Sequence, residues 1–354
     1  MRTYGRMLSA VLILVAAGAV CPAPAEVLSI QGSASAEIQQ IKNGVAGDRD
    51  QASDSLPGTT DTLPIQVVAK LSTIAEEAAG SVAAQFADPL TAPGPNPEEF
   101  AINLALDSLS PRISYTAHAI TQEVRGVRFS ASEVTPPLGG GPAALRGEVF
   151  LDGALAVFAV NDITDLTGVS LTLQVTVIKQ AEGASPQEVF SGVLQVTGGP
   201  DQQLSVTADG NFPRSGVFDA DLSAVDPQLG AFRVFVLPNL VLSYPYEATI
   251  DQPFTLRATV DVQAANQPNG VGVAAILGTP INTLQEVIAA TQGKTVAAKM
   301  IAALEQERAA PTGTPVFTDE TRPQPMFPAC GLLGIESVVG VLLLGGCRRT
   351  FRRY

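Results

Sequence analysis

The stretch GVSLTLQVTVIKQ, residues 168–180, decides the fold of this 354-residue chain. Its apolar residues alternate with hydroxyl and amide residues, so the two sets lie on opposite faces of an extended strand. The apolar set is Val169, Leu171, Leu173, Val175 and Val177. This pattern predicts a strand with one face buried and the other face in water.

The same two-residue period recurs from about Arg112 to Leu277. The stretch PFTLRATVDVQ, residues 253–263, repeats it, and about ten short strand-like runs are separated by Gly, Pro, Asn and Asp. Asp152-Gly153 lies between two apolar runs, which indicates a hairpin turn. The sequence therefore predicts a mainly β protein with an antiparallel, jelly-roll-like β-sandwich.

Helical spacing is predicted on both sides of this region. In the first segment, residues 65–87, apolar residues recur at intervals of three and four: Val67, Leu71, Ile74, Ala78 and Val82. The second segment begins with Thr283 and Glu286 in the spacing of a capping box and ends at Pro311. Its apolar stripe is Ala297, Met300, Ile301 and Leu304. Two amphipathic helices are expected to flank the sandwich.

These patterns divide the chain into six parts. Both ends differ in composition from the body, and Pro- and Gly-rich stretches mark the internal boundaries. The predicted parts are a signal peptide (1–25), a flexible N-terminal segment (26–64), a helix with a linker (65–99), the β-sandwich domain with its C-terminal helix (100–308), a Pro-rich stalk (309–329) and a C-terminal tail (330–354).

The N-terminus has the form of a secretory signal peptide. Arg2 and Arg6 precede a short apolar run, and Ala23 and Ala25 are the small residues that signal peptidase requires, so cleavage is expected after Ala25. A lipoprotein reading of Cys21 is disfavoured because Val20 precedes it. The body between the two ends contains no cysteine, so disulfides cannot stabilise it.

The C-terminal tail combines a short motif, an apolar run and a basic end. Cys330 and Gly331 come first, an apolar segment follows, and the basic residues are Arg348, Arg349, Arg352 and Arg353. This order resembles the C-terminal sorting signals of bacterial exosortase substrates, the PEP-CTERM group, in a variant with a cysteine motif in place of Pro-Glu-Pro. The resemblance implies an exported protein whose tail a sorting protease recognises near Cys330. The alternative is an ordinary tail anchor.

Charge limits the partners. The formal net charge is −13, and the body is more acidic still because both ends are basic. Such a surface repels nucleic acid and anionic lipid. The expected partners are the export machinery, a C-terminal sorting protease, the membrane through the tail, and a surface polysaccharide or matrix. The expected location is the cell surface, outer envelope or extracellular space.

Residues with catalytic or metal-binding potential are sparse. His118 is the only histidine, no G-x-S-x-G motif supplies a nucleophile, and a solvated strand histidine without a partner is favoured over a catalytic one. Aspartates near predicted strand ends are candidate calcium ligands: Asp209, Asp219, Asp221 and Asp226, with Asp162 and Asp165 nearby. Turn-forming and solubilising roles explain these aspartates without calcium and are favoured, so no cofactor is predicted.

The resulting functional hypothesis is an exported structural or adhesive protein, not an enzyme. The alternative is a secreted carbohydrate-binding or hydrolytic jelly roll that uses acidic residues, with or without calcium. The chain has no tryptophan and five tyrosines, which disfavours sugar recognition by ring stacking.

Overall fold

Two antiparallel sheets form the body of the protein. The computed structural model describes residues 26–56, 65–86, 100–134, 141–160, 163–278 and 282–318. Sheet A has seven strands: β1 (Glu26–Lys42), β2 (Val45–Leu56), β6 (Ile113–Arg128), β8 (Ser170–Ala181), β9 (Gln187–Gly198), β10 (Leu204–Gly210) and β13 (Phe254–Ala265). Sheet B has eight: β3 (Ile65–Thr73), β4 (Ala78–Phe86), β5 (Phe100–Ser108), β7 (Ala143–Val160), β11 (Phe218–Asp221), β12 (Leu229–Ala248), β14 (Val271–Leu277) and β15 (Thr314–Pro315).

The two sheets pack face to face as a sandwich. Sheet A has the order β10-β9-β8-β13-β6-β1-β2, and sheet B has the order β15-β11-β12-β7-β14-β5-β4-β3. Strands that follow one another in sequence often belong to different sheets, as β6, β7 and β8 do. The predicted mainly β, antiparallel sandwich is confirmed.

The main core lies between the sheets. The predicted inward set of β8, from Leu171 to Val177, is buried there with 0% exposure of Leu171, Leu173 and Val175. Sheet B contributes Phe235 and Leu237 from β12. Burying a Val, Leu, Ile or Phe side chain contributes about 1.5–3 kcal/mol, so the alternating strands supply most of the driving force.

The prediction that residues 26–64 form a flexible segment is wrong for the described part of that range. β1 and β2 form a hairpin that closes one side of sheet A, with a turn at Asn43 and Gly44. Ala34, Ala36 and Ile38 face the core from β1. The sandwich therefore begins at Glu26 rather than near residue 100.

The helix predicted at residues 65–87 is also wrong. β3 and β4 occupy this region as antiparallel neighbours, joined by a single 3-10 turn at Ile74–Glu76 and by Glu77, whose φ is 49°. Ile74, which the helical stripe placed on the apolar face, is 91% exposed at this turn. β4 also pairs with β5 on its other side, and this pairing favours strands here despite the helical spacing of the apolar residues.

Asp152-Gly153 is not a hairpin turn. β7 runs straight through it, and the opposing strand β12 is irregular there, between Leu237 and Leu240. A Cβ at Gly153 would lie 2.1 Å from the carbonyl oxygen of Ile276. Glycine is needed here for the close approach of β14.

Two helices cover the outer face of sheet B. They are α1 (Asn282–Thr291) and α2 (Lys294–Ala309). Thr283 lies inside α1 rather than at its N-cap, and Glu286 is ion-paired with Lys70, so the predicted capping box does not form. Within the described residues, neither helix is long and apolar enough to cross a membrane.

A second core lies between these helices and sheet B. Its sheet side combines small alanines with larger apolar residues: Ala79, Ala105, Ala154, Ala156 and Ala274, together with Phe158, Leu229, Phe232, Val234, Val236 and Ile276. Its helix side is Leu284, Val287, Ile288, Val296, Ala297, Met300 and Leu304. The predicted stripe of α2 is thus confirmed as buried at Ala297, Met300 and Leu304, while Ile301 is half-buried at its margin.

Candidate functional surface

The outer face of sheet A is a broad polar surface that no described helix covers. The strand register places its residues in three rows across the sheet. The first row is Gln51, Glu37, His118, Gln263, Thr172, Gln195 and Thr207. The second is Ser53, Ser35, Ile120, Asp261, Gln174, Val193 and Asp209, and the third is Ser55, Ser33, Gln122, Thr259, Thr176 and Ser191. We call these three rows the polar face.

Hydroxyl and amide groups dominate the polar face. Gln122 Nε2 donates to Thr259 Oγ1 at 3.1 Å, which links β6 to β13. At about 4.8 Å per strand, seven strands span roughly 29 Å. The three rows contain no Phe, Tyr or Trp. The surface is therefore able to exchange many neutral hydrogen bonds with a flat partner.

His118 lies near the centre of the polar face and has a partner there, contrary to the sequence expectation. Its Nε2 is 3.0 Å from Asp261 Oδ1. Interaction with Asp261 raises the pKa of His118, while partial burial opposes that rise and the charge of Glu37 adds to it. The side chains of His118 and Asp261 are 40% and 20% exposed, so the pair remains accessible to solvent.

The charges of the polar face are locally compensated. Glu37 on β1 is ion-paired with Arg49 on β2 at 2.7 Å, and Asp261 is paired with His118. Asp209 lies at the edge of the sheet on β10. The centre of the face is thus close to neutral in a protein whose formal net charge is −13.

The four candidate calcium ligands are not gathered into one site. Asp219 forms an ion pair with Arg233, and Asp226 Oδ2 accepts a hydrogen bond from Lys299 Nζ at 2.7 Å. Asp221 accepts from the backbone and hydroxyl of Ser223, which lowers its pKa. These aspartates belong to β11 and the turn after it in sheet B. Asp209 belongs to sheet A.

One of the two further aspartates has a local structural role. Asp165 Oδ1 accepts a hydrogen bond from the backbone N–H of Thr167 at 2.9 Å, which is a turn-stabilising role. Asp162 lies outside the described residues. In the part of the chain that the structure describes, no three His, Cys, Asp or Glu side chains group as a metal site would require.

The structure also places two ionisable side chains inside the main core, which the sequence reasoning did not anticipate. Glu123 and Arg125 on β6 are both fully buried and form a salt bridge, with Arg125 Nε 2.6 Å from Glu123 Oε1. Tyr244 lies near them and packs against Tyr246, and burial raises the pKa of both tyrosines. Opposite charges two residues apart on a strand were the available signal.

Asp107 is a third buried group that was missed. It lies on β5 beneath the end of α1, where Thr291 Oγ1 and Gln292 Nε2 both donate to its Oδ2. Burial raises the pKa of Asp107 to about 6, and the hydrogen bonds from Thr291 and Gln292 oppose that rise. Its position under a helix, not at an open cleft, indicates a role in helix docking.

The predicted processing sites lie outside the described residues. These are Ala23 and Ala25 at the N-terminus, and Cys330, Gly331, Arg348, Arg349, Arg352 and Arg353 in the tail. The signal peptide and the sorting motif therefore stay predictions.

Comparison with known proteins supplies no relative. No protein-family model matches the sequence, and no curated protein matches it. Among solved structures, one of the infectious bursal disease virus Gt strain aligns at 10% identity over 80% of this chain and 77% of that chain, with a TM-score of 0.09. The VP2 subviral particle of the same virus aligns at 9% identity over 80% and 73%, also with a TM-score of 0.09. At these TM-scores the alignments support no conclusion about fold or function.

Proposed function

We propose that this protein is an exported adhesive or structural protein of the cell surface or extracellular matrix, and that its polar face contacts a neutral polysaccharide. The observation that carries the proposal is a seven-stranded face of hydroxyl and amide side chains that none of the described helices covers and whose central charges are paired. Sugars offer hydroxyl groups that donate and accept hydrogen bonds, which Ser, Thr and Gln side chains complement.

The acidic body favours a neutral polymer over an anionic one. With a formal net charge of −13, the protein repels uronate- or sulfate-bearing chains at low ionic strength. Without Phe, Tyr or Trp on the polar face, each sugar contact is weak, and retention depends on many contacts made together. Such binding suits adhesion to an extended polymer.

The test is adsorption of the full-length chain to insoluble polysaccharides. We expect retention on a neutral glucan such as cellulose at both low and high salt, with little retention on an alginate gel at low salt. The adsorption is repeated with a chelator to test for a role of calcium. Retention that the chelator abolishes would favour the calcium-dependent alternative. Equal, salt-sensitive retention on both polymers would contradict the proposal.

A hydrolase acting on the same face is the second candidate, because His118 and Asp261 are 3.0 Å apart beside Glu37. In that case His118 would act as a base that Asp261 orients. Release of reducing ends from the adsorbed polymer, lost in His118→Ala with adsorption kept, would support the hydrolase. We expect no release and unchanged adsorption in His118→Ala.

We further propose that the tail holds the protein transiently in the membrane until a sorting protease acts near Cys330. The support is the order of motif, apolar run and arginines, in which the arginines favour a cytoplasmic end. Glu336 within the apolar run makes a permanent span unfavourable. Mass spectrometry of the mature protein tests this: an intact Tyr354 in cells with the sorting enzyme would contradict processing.

A further inference from the structure

Strand β10 leaves one edge of sheet A open. In the described part of the chain it has a neighbour on one side only, β9. The opposite edge of sheet A is different, because Asp50 on β2 accepts a hydrogen bond from the backbone N–H of Lys70 on β3 at 2.8 Å. In sheet B the edge strand β15 has two residues, one of which is Pro315. Proline and charged side chains are devices that prevent strand pairing. β10 contains no proline, and its one charged residue, Asp209, lies near its C-terminal end.

The register shows which backbone groups of β10 face the open edge. Gly199 N–H donates to Gln203 O at 2.9 Å, and Asn211 N–H donates to Ser191 O at 2.8 Å. In an antiparallel pair, hydrogen-bonded and non-hydrogen-bonded residue pairs alternate. The backbone N–H and C=O groups of Ser205, Thr207 and Asp209 therefore point toward β9. The N–H and C=O groups of the residues between them point away from β9: Leu204, Val206 and Ala208.

The side chains of β10 also suit a further strand. Leu204 and Val206 are half-buried at the margin of the main core, while Ser205 and Thr207 lie on the solvent side. The strand from Leu204 to Gly210 contains no lysine, arginine or proline. A partner strand must therefore offer apolar residues on one side and polar residues on the other, in the same alternation.

We propose that β10 pairs with β10 of a second copy of this chain, antiparallel about a two-fold axis through Val206. In this register Leu204 lies opposite Ala208, and Ser205 lies opposite Thr207. About six backbone hydrogen bonds form between the three outward-facing residues of each copy. Sheet A then continues across both copies as one fourteen-stranded sheet, twice the seven strands of one chain.

Self-complementarity is the reason for choosing a second copy as the partner. The alternation of β10 matches itself under a two-fold rotation, which is the symmetry of most dimers. Asp209 lies opposite Gln203 in this register, so no two carboxylates face each other. The two half-buried Val206 side chains meet on the core side and extend the main core across the axis.

The experiment uses a charge exchange at the axis in the full-length chain. Val206→Lys and Val206→Asp each place like charges opposite one another, so each variant alone is expected to dimerise about a hundredfold more weakly than the unsubstituted chain. Mixing the two variants is expected to restore the dimer in sedimentation velocity. The matched controls are Val45→Lys and Val45→Asp, at a 68% exposed valine of edge strand β2, and these should dimerise normally.

Each outcome decides the proposal. Circular dichroism establishes that the variants are folded. If a charged variant does not fold, Val206→Pro replaces it, because proline removes one outward N–H from an edge strand. An unsubstituted chain that is monomeric at all concentrations overturns the proposal, as does a dimer that survives the Val206 variants. A monomeric chain that instead captures an unrelated strand-forming peptide at β10 overturns the choice of partner.

Discussion

The outer faces of the two sheets are both formed by alternate residues of their strands, but they differ in composition and in what covers them. On sheet B the outward residues are mainly apolar, with alanines beside Phe, Val, Leu and Ile, and α1 and α2 cover them. On sheet A the outward residues are mainly Ser, Thr and Gln, and no described helix lies over them. The comparison shows that an apolar outer face supports a helix cover, whereas a polar outer face is left to water or a partner.

Polar contacts hold the helix cover at its margins. Lys70 on β3 pairs with Glu286 on α1, and Arg308 on α2 lies 3.1 Å from Asp152 on β7 and donates to the carbonyl of Gly278 at 2.6 Å. Apolar contacts fill the middle. The polar face of sheet A has the reverse arrangement, with its ion pairs His118–Asp261 and Glu37–Arg49 on the open surface.

The largest expected effect is a glutamine placed on the covered face. Ala156 is 1% exposed beneath the helices, so Ala156→Gln overfills the second core and buries an amide. We expect a loss of about 3–4 kcal/mol in the free energy of unfolding, measured by urea denaturation. Thr172→Gln on the polar face is the matched control and should change stability by less than about 0.5 kcal/mol. Equal effects would remove the distinction between the faces.

The second-largest expected effect is a pH dependence of the free energy of unfolding, which Asp107 causes beneath the helices. Its folded-state pKa, about 6, exceeds the ordinary 3.8, so the folded state holds the proton more tightly. The contribution of Asp107 to stability is therefore greatest below pH 4 and declines by about 2–3 kcal/mol as pH rises to 6. Relative to Asp107→Asn, the unsubstituted protein should lose stability across this interval in denaturation curves.

A second substitution sharpens the Asp107 test. The hydroxyl of Thr291 donates to the carboxylate and opposes the rise in its pKa. Thr291→Val should therefore move the pH-dependent loss to higher pH, and this shift should vanish in the background of Asp107→Asn. A pH profile that Asp107→Asn leaves unchanged would mean that this carboxyl does not titrate in the expected interval.

The smallest effect belongs to His118 on the open face. Because its folded-state pKa is raised, the pair with Asp261 stabilises the protein below the ordinary histidine pKa of 6.5 and loses that contribution as pH rises through the folded-state value. Solvent screens the pair, so the change should be under about 1 kcal/mol. NMR titration should show the imidazole pKa falling toward 6.5 in Asp261→Asn. No change in that variant would exclude Asp261 as the cause.

Two turn motifs illustrate what the sequence predicted and what it did not. Asp152-Gly153 matched a hairpin signal but lies within β7, because its glycine serves the close approach of β14. Asn43-Gly44 carries the same kind of signal and is a true hairpin turn, with φ values of 51° and 77°. A dipeptide alone does not show whether glycine is needed for its turn geometry or for its missing side chain.

Inward residue size explains the errors near the N-terminus. β8 was predicted because its buried face consists of Leu and Val, whereas β1 buries Ala34 and Ala36, whose small side chains hide the alternation. In β3 the residues Ile65, Val67 and Ala69 alternate, but Val67 and Leu71 also fit a helical interval. Pairing with distant strands decided both segments, and no local pattern contains that information.

The candidate surface was less predictable than the fold. The outward Ser, Thr and Gln residues of β8 were visible as the solvated half of the alternation, but their neighbours were not. His118 meets Asp261 only because β6 lies beside β13 in sheet A, although the two residues are far apart in sequence. Sites assembled across strands depend on strand order, which the sequence pattern did not specify.

One measurement tests the central claim, that the polar face is the binding surface, most directly. The triple variant Gln122→Ala, Gln195→Ala, Gln263→Ala removes three amides from β6, β9 and β13 and should keep the fold, because all three side chains face outward. Its retention on cellulose should fall by about tenfold or more relative to the unsubstituted chain. The matched control Gln66→Ala, Gln252→Ala, Gln306→Ala removes amides elsewhere and should be retained normally. Retention of the triple polar-face variant at the level of the control would contradict the claim.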